Sequence, residues 1–166
     1  LLVNRAANAF TTLGVKRGER VGLMVKDSPL YCAAFLGLVK AGAVAVPLNP
    51  RLAVGDYAFI VADAKLFLVV ADGEHTSMLA EAAGENGTRV LTADGEGETL
   101  AKSVALASEA FSTAPTTRDE PAFWLFSSGT TGRPKGVIHS HFSCAHAGKL
   151  LREVIGADEN TVVLGT

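Results

Sequence analysis

The sequence predicts an α/β fold in which a mainly parallel sheet is flanked by helices. Short apolar segments alternate along the chain with longer segments whose apolar residues recur at helical spacing. The short segments are hydrophobic at nearly every position, which is typical of parallel strands that are covered on both faces. The alternation of the two kinds of segment therefore favours repeated strand–helix–strand units in one sheet.

The first half of the chain is predicted to contain three helices and three strands. In order, they are a helix over residues 1–13, a strand over 20–25, a helix over 29–42, a strand over 43–48, a helix over 55–64 and a strand over 66–70. Gly14 ends the first helix, and Asp27 or Ser28 caps the second, because short polar side chains accept hydrogen bonds from the free amides of a helix N-terminus.

The second half continues the alternation with longer polar connections. We expect a helix over 76–83, a strand over 89–91, a helix over 100–111, a strand over 123–126, an extended segment over 137–139 and a final helix that Ser140 caps and Gly156 ends. Residues 114–120 are rich in Thr and Pro and read as a linker. Nothing in the pattern separates two domains.

Composition excludes several classes of protein. With 166 residues, 48% hydrophobic and 19% charged, the chain is long and apolar enough to form one globular domain. The net charge of −2 and the lack of a Lys/Arg run argue against a nucleic-acid partner. The apolar runs are too short to span a membrane. Cys32 and Cys144 lack the spacing of a disulfide framework or zinc site, so we expect a reducing, cytoplasmic setting.

A loop of small and polar residues follows the predicted strand over 123–126. Backbone amides of such a loop can form an anion-binding concavity, hydroxyl groups add donors, and a lysine adds a positive charge. The loop is not an ordinary P-loop, because Lys135 is followed by Gly136 and then by an extended segment. Composition alone leaves open a polar hairpin loop without a ligand. The loop, residues 127–136, reads Ser127, Ser128, Gly129, Thr130, Thr131, Gly132, Arg133, Pro134, Lys135 and Gly136.

Position for position, this loop resembles the signature of the adenylate-forming (AMP-binding) enzymes. That superfamily includes acyl- and aryl-CoA synthetases, nonribosomal adenylation domains and firefly-type luciferases. The resemblance extends over the whole chain, through residues 18–24, 27–29 and 36–50. Residues 123–129 and 137–141 are most similar to benzoate-type and other aryl-CoA ligases.

The resemblance implies a two-step reaction that uses ATP, Mg²⁺ and CoA. A carboxylate attacks the α-phosphate of ATP to give acyl-AMP and pyrophosphate, and the CoA thiol then displaces AMP. The loop of the family holds the β- and γ-phosphates, which makes Thr130, Thr131 and Lys135 the expected phosphate contacts and Lys135 the catalytic candidate. Hydroxyl or backbone contacts are expected from Ser127, Ser128, Gly129, Gly132 and Gly136.

Histidines after the loop allow a second interpretation. His139 and His141 would share a face of a strand, and together with His146 they could form a metal site. No Cys, Asp or Glu stands nearby at a convincing spacing, so we predict no metal site. His139 directly follows the loop and is a candidate for the substrate pocket. A serine hydrolase is excluded, because the G-x-S-x-G pattern is absent.

Both ends of the sequence read as cut. We expect residues 1–166 to be an incomplete N-terminal AMP-binding domain without the C-terminal domain, and so to supply the phosphate loop but to be inactive alone. The expected partners are a small carboxylic acid, which the resemblance makes aromatic, with ATP and CoA. Alternatives are adenylation with another acceptor, such as a carrier-protein thiol or the oxygen of a luciferase, and a noncatalytic phosphate-binding module.

Overall fold

A computed structural model describes residues 1–84, 87–128, 132–158 and 160–162. The side chain of Ser128 is not among the described features. Six helices and six strands occur in the described ranges. They are α1 Leu2–Thr12, β1 Arg20–Met24, α2 Pro29–Lys40, β2 Val44–Pro47, α3 Val54–Asp63, β3 Leu66–Ala71, α4 Gly73–Ala83, β4 Arg89–Thr92, α5 Leu100–Leu106, β5 Pro121–Ser128, β6 Pro134–Ser140 and α6 His141–Ile155.

The strands form one sheet in the order β4-β3-β1-β2-β5-β6. All neighbours from β4 to β5 pair in parallel, while β6 runs antiparallel to β5 at the edge of the sheet. The helices α2, α3 and α4 connect successive parallel strands, as the alternating sequence pattern predicts. The predicted α/β fold with a mainly parallel sheet is confirmed.

The sheet separates two hydrophobic clusters. Val21 and Leu23 of β1 pack with Phe10 in a cluster under α1, α2 and α5. Met24 of the same strand packs with Tyr57 in a cluster under α3 and α4, which we call the α3–α4 cluster. Neighbouring side chains of a strand point to opposite faces, so apolar residues on both faces are needed to fill the two clusters.

Ser28, the second of the two predicted caps, begins α2. Its side-chain oxygen accepts a hydrogen bond from the Tyr31 amide at 3.1 Å, and Pro29 follows at the first helical position. Further along α2, Gly37 lies against α1, where an added Cβ would come within 2.8 Å of the Ala6 Cβ. The small residue lets the two helices pack closely.

The helix predicted over residues 100–111 is wrong beyond Leu106. α5 ends there, and Ala107 adopts an extended conformation. Backbone carbonyl groups beyond Leu106 accept hydrogen bonds from side chains of α1 instead. Asn8 Nδ2 donates to the carbonyl oxygens of Ser108 and Ala110, each at 2.8 Å. These bonds replace helical hydrogen bonds, and the local pattern of apolar residues gives no sign of them.

An ion pair fixes the entry to β5. The Arg17 guanidinium donates to both carboxylate oxygens of Glu120, from Nε at 3.1 Å and from Nη2 at 2.6 Å. The amide of Thr117 donates to the same carboxylate at 2.8 Å. The Arg17 hydrogen bond, followed by that of Thr117, lowers the pKa of Glu120 from 4.5 to about 2. The contact joins the start of β5 to the turn before β1.

The end of the sheet formed by β6 is the least covered part of the fold. Val137 and Ile138 are 47% and 57% exposed. None of the 15 residues of α6 is buried, whereas each of α1 to α5 buries at least two of its described residues. Within the described ranges, no helix has the length and apolar character needed to cross a membrane.

Glu120→Gln should destabilise the fold in a pH-dependent manner. The folded state lowers the pKa of Glu120, so its stabilising contribution is present above the unfolded-state value near 4.5 and is lost as the pH falls towards about 2. We expect the difference in melting temperature between wild type and variant to be largest near neutral pH and to shrink as the pH falls from about 4.5 through about 2.

Asp119→Asn is the matched control, because the Asp119 side chain is 87% exposed and its nearest cation, Arg118, lies 3.7 Å away. It should leave the melting temperature almost unchanged at every pH. A Glu120→Gln effect that is independent of pH would contradict the prediction.

Candidate active-site hairpin

The predicted phosphate loop is the turn of a β-hairpin formed by β5 and β6. Phe126 pairs with Gly136, Ser127 with Lys135, and Ser128 with Pro134. Ser127, Ser128, Lys135 and Gly136 therefore belong to the strands, and the turn between them is shorter than the ten-residue loop of the prediction. Three of the candidate residues, Gly129, Thr130 and Thr131, lie outside the described residues.

The hairpin turn lies at the carboxyl edge of the sheet. β5 runs parallel to β2, and through it to β1 and β3, so all these strands end on the same side as Ser128. Open α/β sheets bind their ligands outside the carboxyl ends of their strands. The order of the strands therefore places the candidate residues where a ligand site is expected in this class of fold.

Strand alternation divides the hairpin side chains between two faces. Directly paired residues of an antiparallel hairpin share a face, so Ser127 and Lys135 lie on the same side, together with Leu125 and Val137. Lys135 is exposed, and no carboxylate among the described residues forms an ion pair with it. The arrangement offers one ammonium and one hydroxyl to an anion beside the turn of the hairpin.

The two described glycines of the loop, Gly132 and Gly136, occupy their positions for different physical reasons. Gly132 has a φ of 101°, a conformation that side-chain-bearing residues rarely adopt, so glycine is required by the backbone. Gly136 has no positive φ and lies inside β6. A Cβ at Gly136 would meet the Phe126 ring at 3.1 Å. The prediction gave Gly136 a role in close approach to the ligand, whereas its described neighbour is an aromatic ring.

Arg133, the other cation of the loop, lies against α3. Its guanidinium carbon is 5.4 Å from the centre of the Phe59 ring, within the range of a cation–π contact. The next residue, Pro134, is buried. The loop is thus attached to α3 on the side that Phe59 occupies.

His139 lies further along β6, where it faces Phe123 of β5. The two rings stack with centroids 4.4 Å apart and an angle of 6° between their planes. Phe35 of α2 in turn packs against Phe123, and the centroids of these two rings are 5.4 Å apart. His139 therefore contributes to packing between the sheet and α2, and its predicted place in a substrate pocket stays a prediction.

His146, which the metal-site interpretation groups with His139, has an aromatic partner of its own. His146 of α6 stacks on Phe142, with ring centroids 5.5 Å apart. Among the described residues, no group of three His, Cys, Asp or Glu side chains is arranged to hold a metal ion.

A separate cavity of about 270 Å³ opens at the same edge of the sheet. Met24, Leu48 and Pro50 form apolar parts of its wall, and Lys26 and Glu74 pair across its rim at 2.9 Å. No described residue of the hairpin lines this cavity. The loops after β1, β2 and β3 thus form a second concave surface beside the one that the hairpin provides.

Comparison with known proteins identifies the family of this fold and signature. The family described as AMP-binding enzyme matches residues 1–166. The chain belongs to this family. It is 38% identical over 168 residues to the benzoate–CoA ligase of Thauera aromatica, covering 98% of the chain and 32% of that protein. It is 34% identical over 143 residues to the long-chain-fatty-acid–CoA ligase FadD13 of Mycobacterium tuberculosis strain CDC 1551 / Oshkosh, covering 86% of the chain and 28% of that ligase.

A solved structure supports the same assignment. ATP-bound MatB from Rhodopseudomonas palustris superposes with a TM-score of 0.82 and 34% identity, over 92% of the chain and 30% of MatB. The chain thus spans about a third of the length of the AMP-binding enzymes that it matches. The predicted membership in the adenylate-forming superfamily and the likeness to benzoate-type ligases are confirmed.

Replacing His139 should affect stability through its ring. His139→Ala removes the stack on Phe123 and should lower the free energy of unfolding by about 1 kcal/mol. His139→Phe keeps an aromatic ring in the same place and should lose much less, which urea denaturation of the two variants would measure. Equal losses in both variants would show that the stacking contact contributes nothing.

Proposed function

We propose that this AMP-binding enzyme is an ATP-dependent acid–CoA ligase, and that residues 1–166 form the N-terminal part of its AMP-binding domain. In this proposal the hairpin holds the β- and γ-phosphates of ATP. The observation that supports it most directly is the position of Lys135, exposed on β6, paired with Ser127 and located at the carboxyl edge of the sheet.

The reaction has two bond exchanges. An oxygen of the acid attacks the α-phosphorus of ATP, and the bond to the β-phosphate oxygen breaks to give acyl-AMP and pyrophosphate. The thiol of CoA, losing its proton, then attacks the acyl carbon and releases AMP. Phosphoryl chemistry leaves the protein mainly positioning and electrostatic stabilisation. Mg²⁺ enters with ATP as the substrate complex and neutralises part of the phosphate charge.

Lys135 is the residue that we assign to the developing charge. Its ammonium would bind the β- and γ-phosphates and stabilise the negative charge that builds up on pyrophosphate as it leaves. The Ser127 hydroxyl, on the same face of the hairpin, can donate a further hydrogen bond. Gly132 permits the turn itself. The backbone of Ser128, Gly129 and Gly136 and the hydroxyl groups of Thr130 and Thr131 complete the proposed phosphate contacts.

We propose an aromatic acid as the substrate. The support is the greater similarity to the benzoate–CoA ligase of T. aromatica, 38% over 98% of the chain, than to the fatty-acid ligase FadD13, 34% over 86%. His139 is the proposed pocket residue on this chain. A carrier-protein thiol or a luciferase-type oxygen would change the acceptor without changing the role of Lys135. A noncatalytic module would keep ATP binding alone.

Lys135→Met and Arg133→Met separate the two cations of the loop. In the complete polypeptide, Lys135→Met should lower kcat/KM for acid-dependent ATP–pyrophosphate exchange by about a hundredfold, because a charge that stabilises the leaving group is lost. Arg133→Met should have a much smaller effect, because the Arg133 guanidinium packs on Phe59 of α3.

Lys149→Met is the control for loss of a surface charge, since Lys149 is 67% exposed on α6 and lies near Glu153. It should leave exchange unchanged. Full exchange activity in Lys135→Met would contradict the phosphate-binding role of the hairpin, whereas ATP binding without any exchange in the wild type would favour the noncatalytic module.

The proposed acid specificity is tested with matched acids. We expect the complete polypeptide to convert benzoate and hydroxybenzoates with kcat/KM at least about tenfold above octanoate and palmitate, since a pocket shaped for a ring discriminates by contact area. The measurement is AMP formation at saturating ATP and CoA. A preference for the fatty acids would contradict the aromatic assignment and leave the ligase assignment intact.

A further inference from the structure

We infer that Phe126 is a positioning residue of the phosphate hairpin, because its ring fixes the distance between β5 and the segment of β6 that carries Lys135. The inference rests on the proposed function of the hairpin. It concerns the contact between Phe126 and Gly136, which are direct partners across the two strands. Phe126 is not itself a phosphate contact in this proposal, since its side chain lies on the face opposite to Lys135.

The first support is that Gly136 has no other described reason to be glycine. Its φ is not positive, so an L-residue could adopt its backbone conformation. The three atoms nearest to an added Cβ are Cζ, Cε1 and Cε2 of Phe126, at 3.1, 3.3 and 3.6 Å. The three closest contacts of the missing side chain are therefore all with one aromatic ring.

The second support is that the partly buried Phe126 ring packs against the hydrophobic core. Phe126 packs against the α3–α4 cluster, whose buried members include Val46 and Tyr57. Trp124, two residues earlier on the same face of β5, packs against the same cluster. Because the ring is packed against these groups, a methyl group at Gly136 would displace β6 more readily than the ring.

The consequence is a link between the hydrophobic core and the proposed phosphate site. Gly136 is covalently joined to Lys135, and β6 is the edge strand, with no further partner among the described residues. The contact with Phe126 holds this part of β6 on the face opposite to Lys135. A displacement of β6 by a few tenths of an ångström would move the Lys135 ammonium relative to Ser127, with which it shares the opposite face.

A double-mutant cycle in the complete polypeptide tests this inference, using wild type, Gly136→Ala, Phe126→Leu and the double variant. Gly136→Ala should raise KM for MgATP about tenfold through overpacking against the ring, while KM for the acid stays unchanged. Adding Phe126→Leu removes the ring, so Gly136→Ala should cost much less in that background, and the double variant should lie within about threefold of Phe126→Leu alone.

Melting temperatures of the same four proteins give an independent measure of the contact. Gly136→Ala should melt lower than wild type, and the loss should shrink when Phe126 is replaced by Leu. If Gly136→Ala cannot be obtained folded, the double variant should still be recovered folded, because its clash is relieved. Recovery of neither protein would overturn the inference.

Two further outcomes are decisive. A double variant with KM for MgATP no better than that of Gly136→Ala would show that the glycine is needed by the ligand and not by the ring. A Gly136→Ala protein with wild-type KM would show that the ring does not position Lys135. Failure of the proposed function looks different, because Lys135→Met would then retain exchange while the coupling between Phe126 and Gly136 in melting temperature would persist.

Discussion

The antiparallel pairing of β6 with β5 is the contact on which the candidate site depends. Five parallel strands set the carboxyl edge of the sheet, and β5 carries the chain to that edge. The turn to β6 then brings Lys135 back opposite Ser127. Without this pairing, the Lys135 ammonium and the Ser127 hydroxyl would not be held at a fixed distance from each other. Neither side chain is buried or held by an ion pair among the described residues.

Much of this arrangement could be predicted from the sequence, because it depends on local signals. The continuous apolar strands, the cap at Ser28 and the glycine at the end of α6 each have a signature within a few residues. Contacts between distant segments were not predictable in this manner. Asn8 donates hydrogen bonds to the carbonyl groups that follow α5, and Arg133 lies over Phe59 of α3. The residues next to Asn8 and Arg133 in the sequence indicate neither contact.

The glycines of the loop illustrate the same limit within the site itself. Sequence reasoning treats them as equivalent, since each is compatible with a tight approach to a phosphate. The structure separates Gly132, which has a backbone requirement, from Gly136, which lies under the Phe126 ring. Phe126 lies opposite Gly136 in the register of the hairpin. This pairing follows from the sequence only once β5 and β6 are known to pair with each other.

The most direct measurement of the central claim compares nucleotides that differ only in their phosphates. Titration of ATP and AMP against the complete polypeptide and its Lys135→Met variant, by calorimetry, isolates the contribution of the β- and γ-phosphates to binding. If the hairpin holds these phosphates, the substitution weakens ATP binding and leaves AMP binding unchanged. An equal loss for both nucleotides, or no loss for ATP, would contradict the assignment of the hairpin as the phosphate site.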